Sequence, residues 1–220
     1  MAPRGGPPES HLQRRLLDQL RSSGLVTDVR VLDAVAAVPR AEFVPEDHRG
    51  AAYDDVPLPI GHDQTISQPL VVALMTQAAD LHPGDRVLEV GTGSGYQAAV
   101  LRQLVDHVDT VERIPALAEQ AAALLDELGV DHVDVHTGDG TLGWPGGAPY
   151  DAVVVTAGGP EVPAPLLEQL AEGGRLVAPV GPRHAQELVL VRRTGGRTEC
   201  TDLGPVAFVP LLGEAGWPAA

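Results

Sequence analysis

The sequence predicts an α/β fold. The expected architecture is a doubly wound, mostly parallel seven-stranded sheet with helices on both faces, an antiparallel C-terminal strand pair and extra N-terminal helices. Three observations carry this expectation. From residue 84 onward, short apolar runs alternate with helix-length amphipathic stretches, the pattern of a parallel sheet covered by helices. The last two strand-like runs are joined through Gly195–Gly196, a turn that suits antiparallel pairing. At 220 residues, the chain has room for one such unit with modest additions, and for a large core.

Residues 1–8 are rich in Pro and Gly and read as a disordered lead. His11 to Ser22 carries Leu12, Leu16, Leu17 and Leu20 at helical spacing, with Gly24 as its stop. Thr27 or Asp28 can cap a second helix running to Val38, ended by Pro39. Residues 39–66 hold four prolines and two glycines and read as irregular; a loop this long inside a compact unit is usually functional. A third helix is expected from Gln68 to Ala79. The strands then follow at Arg86–Val90, Val108–Glu112, Val133–His136, Ala152–Thr156, Arg175–Pro179, Glu187–Arg192 and Val206–Leu211. Helices are expected at Gln97–Val105, Ala116–Leu128 and Pro165–Ala171. No internal repeat is evident. The division is therefore a lead (1–8), N-terminal helices with a functional loop (9–82), an α/β core (83–213) and a tail (214–220), forming one compact domain.

Composition narrows the function. The formal net charge is −15, and all 15 basic residues are arginines. An acidic surface repels phosphate backbones, so no nucleic-acid partner is expected. Without lysine there is no Schiff-base chemistry and no lysine base. Cys200 is the single cysteine, which rules out an internal disulfide and a cysteine zinc site. No apolar run approaches the ~20 residues of a membrane span, and the N-terminus lacks a signal peptide's apolar stretch. A cytoplasmic monomer with no membrane partner is expected.

The segment Val87-Leu88-Glu89-Val90-Gly91-Thr92-Gly93-Ser94-Gly95-Tyr96 is a buried strand entering a glycine-rich turn and a helix. Such a turn lets backbone approach a ligand, and the helix N-terminus offers free N–H groups. A dinucleotide fingerprint reads G-x-G-x-x-G; here Tyr96 takes the place of its third glycine. A phosphate-binding P-loop needs a lysine, which is absent. Glu89 would repel a pyrophosphate but suits a ligand bearing an ammonium and a sulfonium. S-adenosylmethionine carries both. Glu112, 21 residues after Gly91, is placed to accept from ribose hydroxyls. Asp139, in Gly138-Asp139-Gly140, is placed to meet an adenine amino group. Each acid alone reads equally as a solvated strand end; the three together point to the cofactor.

At this point the chain resembles the protein-L-isoaspartate O-methyltransferases, over residues 12 to 213. The resemblance rests on Val38-Pro39-Arg40 with Phe43-Val44-Pro45, on Pro57-Leu58-Pro59-Ile60-Gly61, and above all on Gln64-Thr65-Ile66-Ser67-Gln68-Pro69. It continues through Val87–Tyr96, Val111-Glu112-Arg113, Gly138-Asp139-Gly140 and Phe208-Val209-Pro210-Leu211. It implies a Rossmann-like methyltransferase that esterifies the free carboxylate of L-isoaspartyl residues in damaged proteins, starting repair through a succinimide. It implies Ser67 as the active-site residue. Thr65, Ile66, Ser67, Glu89, Gly91, Gly93, Gly95, Glu112, Arg113, Asp139 and Gly140 would contact the cofactor. Gln64, Thr65, Val209, Pro210 and Leu211 would hold the peptide. Two departures bear on acceptor range. Asp63 stands where relatives usually have glycine, and Thr156-Ala157-Gly158-Gly159-Pro160 replaces an alanine–proline-rich stretch.

A carboxylate is already ionised at neutral pH, so methylating it requires alignment rather than a base. Ser67 is accordingly expected to orient the acceptor and not to act as a nucleophile. Its position before Gln68-Pro69 also makes it a good helix N-cap. His132 and His136, ~13 Å apart along a strand, read as surface residues, and no metal site is expected. Tyr53, Asp54 and Asp55 read as a turn cluster or as a gate to the cleft; Trp144 reads as a loop cover. Three other functions remain compatible: aspartate methylation on a dedicated natural-product peptide to form an imide, non-catalytic S-adenosylmethionine binding, and small-molecule methylation.

Overall fold

The computed structural model describes residues 11–218; the expected lead at 1–8 lies outside them. Its centre is a seven-stranded sheet in the order β5-β4-β3-β6-β7-β8-β9. The strands are β3 (Arg86–Val90), β4 (His107–Glu112), β5 (Val133–Thr137), β6 (Tyr150–Val155), β7 (Leu170–Val180), β8 (Gln186–Thr194) and β9 (Arg197–Val206). β3 to β7 run parallel; β8 and β9 are antiparallel to their neighbours. Six helices accompany them: α1 (His11–Ser22), α2 (Val29–Ala37), α3 (Pro69–Ala78), α4 (Tyr96–Arg102), α5 (Pro115–Glu127) and α6 (Ala164–Glu168).

The sheet is buried on both faces, so its strands read as continuous apolar runs rather than alternating ones. Along β3, Val87 joins a cluster with Met75 of α3 and Leu101 of α4. Leu88 and Val90 join the opposite cluster, with Leu166 of α6. Leu16, Leu17 and Leu20 of α1 and Val31, Leu32 and Val35 of α2 form a third cluster with Tyr96 and Val100 of α4 and Leu125 of α5. The N-terminal helices thereby brace the helix that follows the glycine turn. Asp28 caps α2 by accepting from Arg30 N at 2.9 Å.

The chain leaves β3 toward β4 and β5, then returns to place β6 on the other side of β3. Strand order reverses there, and the crevice outside the carboxyl ends of β3, β4 and β6 is where ligands bind in open α/β sheets.

Four expected boundaries change. The 39–66 segment is not wholly irregular: it contains two short 3-10 turns and a hairpin of β1 (Leu58–Gly61) and β2 (Gln64–Ile66). The sixth helix stops at Glu168, because Leu170 already pairs with Tyr150 in the sheet. The last strand is Arg197–Val206 instead of Val206–Leu211. Its polar exposed face hid it from a search for apolar alternation. Residues 206–211 instead cross the sheet's carboxyl end, where Gly158 N donates to Val209 O and Leu211 N to Gly158 O, both at 2.8 Å. Finally, the residues expected as a tail fold back: Trp217 N donates to Leu211 O at 2.8 Å, and Trp217 Nε1 to Gly158 O at 3.1 Å.

Candidate active site

A cleft of about 800 Å³, counting the space at its open mouth, lies over the carboxyl ends of β3, β4 and β6. The glycine turn forms its floor. Gly91 has φ +98°, and a Cβ there would run into Thr156 Oγ1, so the turn accepts no side chain. Thr156 fixes the turn from β6's end by donating to Val90 O at 2.9 Å and Gly91 O at 2.6 Å.

Two acids line the floor. Glu89 is fully buried. Its register partner on β4 is Thr110, whose hydroxyl donates to Glu89 Oε2 at 2.5 Å and sits 2.7 Å from Thr92 Oγ1. Glu89 Oε1 is buried without a hydrogen-bond partner. Burial, with Glu112 adding to it against the Thr110 bond, pushes the Glu89 carboxyl up to about 8. A buried carboxyl oxygen left without a partner is costly unless a ligand completes it. Glu112, at the end of β4, is held by the glycine turn itself: Gly93 N donates to its Oε2 at 2.9 Å and Ile114 N to its Oε1 at 3.0 Å. Each oxygen retains acceptor capacity for hydroxyl donors. An acidic, glycine-floored crevice with one unpartnered buried carboxyl oxygen fits a ligand with an ammonium, a sulfonium and a ribose.

The hairpin β1–β2 forms one wall. Ile60 leans onto the glycine turn: a Cβ on Gly93 would lie 3.3 Å from Ile60 Cδ1. Gln64, Thr65, Ile66 and Ser67 all line the cleft. The hairpin turns through His62 (φ +51°) and Asp63 (φ +57°); a type I′ two-residue turn requires positive φ at both central positions. Glycine would serve there at no steric cost, and Asp tolerates it better than most residues. Val209, Pro210, Leu211 and Leu212 form the opposite wall, with Arg113, Ile114 and Gly140 closing the side.

Ser67 is not the N-cap of α3. That position is Gln68, and its side chain makes no capping bond. Leu70 N donates instead to Asp55 Oδ1 at 2.8 Å, and Gln68 Nε2 to Asp55 Oδ2 at 2.9 Å. Among the described residues the Ser67 hydroxyl makes no hydrogen bond, and the residue lines the cleft. Asp55, read from the sequence as part of a turn or gate, is the acid that caps α3.

Two expected cofactor residues do not line the cleft. Gly95 starts α4 at φ +87° and faces α5, where a Cβ would lie 3.4 Å from Leu125 Cδ1. Asp139 is held within the chain: Oδ1 accepts from Thr141 N at 2.9 Å and Thr141 Oγ1 at 2.6 Å, and Oδ2 from Glu214 N at 2.7 Å. Burial opposes its ionisation, but these bonds outweigh it and hold the carboxyl below its usual range. Asp139 thus ties the returning C-terminal residues to the end of β5. Residues missed from the sequence include Thr92, Thr110 and Thr156. Isolated threonines carry no periodic signal, and their roles arise from strand register. His136 is not a free surface residue: Nε2 lies 2.7 Å from Asp109 Oδ1, and the ring stacks on Trp144 at 3.9 Å between centroids. His132 sits in the turn before β5 at φ +64°. Neither histidine lines the cleft.

The fold and the cleft together define an S-adenosylmethionine-dependent methyltransferase. Comparison with known proteins makes the assignment specific. The model of the family described as protein-L-isoaspartate(D-aspartate) O-methyltransferase matches residues 11–216. A protein-L-isoaspartate O-methyltransferase of Methanoculleus marisnigri is 54% identical over 199 residues, covering 90% of each chain. One from a Roseiflexus species is 56% identical over 207 residues, covering 94% of each chain. A solved protein-L-isoaspartate O-methyltransferase superposes with a TM-score of 0.85 at 31% identity, over 92% of this chain and 67% of that one. A Plasmodium falciparum structure described as such an enzyme in complex with S-adenosyl-L-homocysteine gives 0.80 at 26% identity, over 90% of this chain and 97% of that one. The chain belongs to the protein-L-isoaspartate(D-aspartate) O-methyltransferase family.

Proposed function

We propose that this chain transfers a methyl group from S-adenosylmethionine to the free carboxylate of L-isoaspartyl residues in proteins and peptides. One observation carries the reading. A serine whose hydroxyl has no internal partner lines the same cleft as the glycine turn and residues 209–212, in a chain of this family.

Gly91 and Gly93 give the cofactor a close backbone floor. Glu89 offers its unpartnered oxygen to a cationic group, and Glu112 its remaining lone pairs to ribose hydroxyls. Thr65, Ile66, Arg113 and Gly140 wall the same space. When bound, S-adenosylmethionine supplies an electrophilic methyl on a cationic sulfur. The chain's own work is to desolvate and align the acceptor. Ser67 donates its proton in a hydrogen bond to the acceptor carboxylate, which needs no base because it is ionised at neutral pH. Gln64, Thr65 and Val209 to Leu211 hold the peptide. The ester closes to a succinimide without the enzyme, and water opens it in part to normal aspartate. No described helix is long and apolar enough to cross a membrane, and the enzyme is expected to act as a monomer.

The deciding experiment measures base-labile methyl incorporation into an isoaspartyl peptide and its normal-aspartyl twin. Incorporation confined to the isoaspartyl peptide supports the proposal. Equal labelling of both, or labelling only of a dedicated aspartyl peptide, would replace it with the imide-forming alternative. Binding without any labelling would leave a non-catalytic binding protein. Ser67→Ala is expected to lower turnover with cofactor affinity retained.

A further inference from the structure

We infer that Asp55 is a positioning residue for Ser67: it takes over the capping of α3, and so keeps the serine hydroxyl free for the acceptor. The inference rests on the Ser67 reading above.

A serine at the N-cap of a Pro-initiated helix turns its hydroxyl onto the first free N–H groups; here Gln68 holds that position and Ser67 stands one residue before it. Pro69 opens α3 and has no N–H to satisfy, which leaves Leu70 N as the first donor. A Ser67 hydroxyl used there would be lost to the cleft. Asp55 reaches Leu70 N across a gap of 15 residues in sequence. Its second oxygen accepts from Gln68 Nε2. The two bonds fix the residue after Ser67 and the residue three after it, so the Ser67 backbone has little freedom between them. Ile66, on the other side, is buried at 4% exposure. Ser67 is held by its neighbours, and nothing in the described chain holds its hydroxyl.

Asp55 is anchored in turn. Arg40 is fully buried, and its guanidinium donates to Ala52 O at 2.9 Å and Val56 O at 3.4 Å, on either side of Asp55. The guanidinium stacks over the Tyr96 ring, 5.0 Å from its centroid. Burying an arginine without a direct carboxylate bond is expensive. Here it clamps the segment that carries Asp55 onto Tyr96, which itself lines the cleft. A chain of contacts runs from Tyr96 through Arg40 and Asp55 to the backbone flanking Ser67.

The test removes both bonds and then restores them. Asp55→Leu takes the acceptors from Leu70 N and Gln68 Nε2, whereas Asp55→Asn keeps an oxygen for Leu70 N and offers an amide that pairs with Gln68 Oε1 once that side chain turns over. The expected result is a fall in kcat of about tenfold or more in Asp55→Leu, in line with the ~100-fold that a 1 Å misplacement can cost. Cofactor Kd should stay within about twofold, and Asp55→Asn should keep kcat within about threefold of wild type. Gln68→Leu, which keeps the cap and removes only the second bond, gives a smaller fall in kcat and guards against a folding defect in Asp55→Leu. Wild-type kcat in folded Asp55→Leu, or a loss that Asp55→Asn shares in full, overturns the inference. Ser67→Ala separates the two claims. If it keeps full turnover, the serine reading fails and the positioning claim with it. If it is inactive while Asp55→Leu turns over normally, only the positioning claim fails.

Discussion

Glu89 has the clearest electrostatic consequence of any single residue. Its carboxyl is raised from 4.5 to about 8, chiefly by burial, so it holds its proton at neutral pH while no cation is near. A cation brought against Oε1 favours the ionised form, so cofactor binding below about pH 8 displaces a proton. Affinity for S-adenosylmethionine should therefore rise with pH toward about 8, by at most about tenfold per unit, and level off above it. Calorimetry at pH 6.5 in buffers of different ionisation enthalpy should register that proton; heats independent of the buffer would contradict it. In the ligand-free protein the folded state binds this proton more tightly than the unfolded state. Glu89's contribution to stability is thus full below about 4.5 and is lost as pH rises through about 8. Glu89→Gln should remove that slope in a thermal-melt series and weaken cofactor binding. Asp63 is a second case at this scale. It is exposed at the hairpin tip, and exposed charge pairs are worth ~0.2–1 kcal/mol. Asp63→Asn should lower KM for peptides with acidic residues beside isoaspartate by roughly 1.4- to 5-fold, with kcat unchanged. Equal KM changes for acidic and basic peptides would show that the charge is not read.

At the scale of elements, the glycine turn is the least tolerant of change. Gly91→Ala places a methyl against Thr156 Oγ1 at φ +98°. Cofactor affinity should fall by more than about tenfold, since positive-φ strain alone costs ~1–2 kcal/mol. Gly84→Ala, with nothing within 4 Å of the new Cβ, is the matched control and should bind normally. This turn was legible in the sequence because its chemistry is local: strand, glycines and helix follow one another without a break. The start of α3 was not. Ser67 has the right type and place for a cap, and only the fold shows an acid from 15 residues upstream occupying that role. Asp139 is a similar case: its bonds to Thr141 are local, but the bond from Glu214 N is set by where the C-terminal segment returns. Strand β9 escaped because its side chains are mostly exposed and polar, so it lacks the apolar run by which the other strands are legible.

For the molecule as a whole, charge is the property that acts at a distance. A net −15 repels acidic peptides and draws basic ones, and salt screens both effects over about 10 Å at 0.1 M. At saturating cofactor, raising ionic strength should lower kcat/KM for basic isoaspartyl peptides and raise it for acidic ones; parallel changes for both would contradict surface steering. The parallel sheet and its helical crossovers followed from the alternation of runs after residue 84, because parallel strands need a crossover between them; the strand order and its reversal beside β3 came only with the fold. The bracing of α4 by α1 and α2 did not, since contacts between distant helices leave no mark on spacing.

The two tryptophans divide the optical properties of the molecule between them. Trp144 lies flat against the His136 imidazole, a contact that quenches indole emission. Trp217 stands apart from it, its N–H tied to Gly158 and the Arg183 guanidinium 5.2 Å from its ring, directly behind the wall of Val209 to Leu211. Most of the steady-state fluorescence should therefore come from one indole, mounted on the back of the acceptor wall. Titrating an isoaspartyl peptide should shift that emission, and Trp217→Phe should abolish the response, giving a label-free reading of acceptor binding separate from methyl transfer.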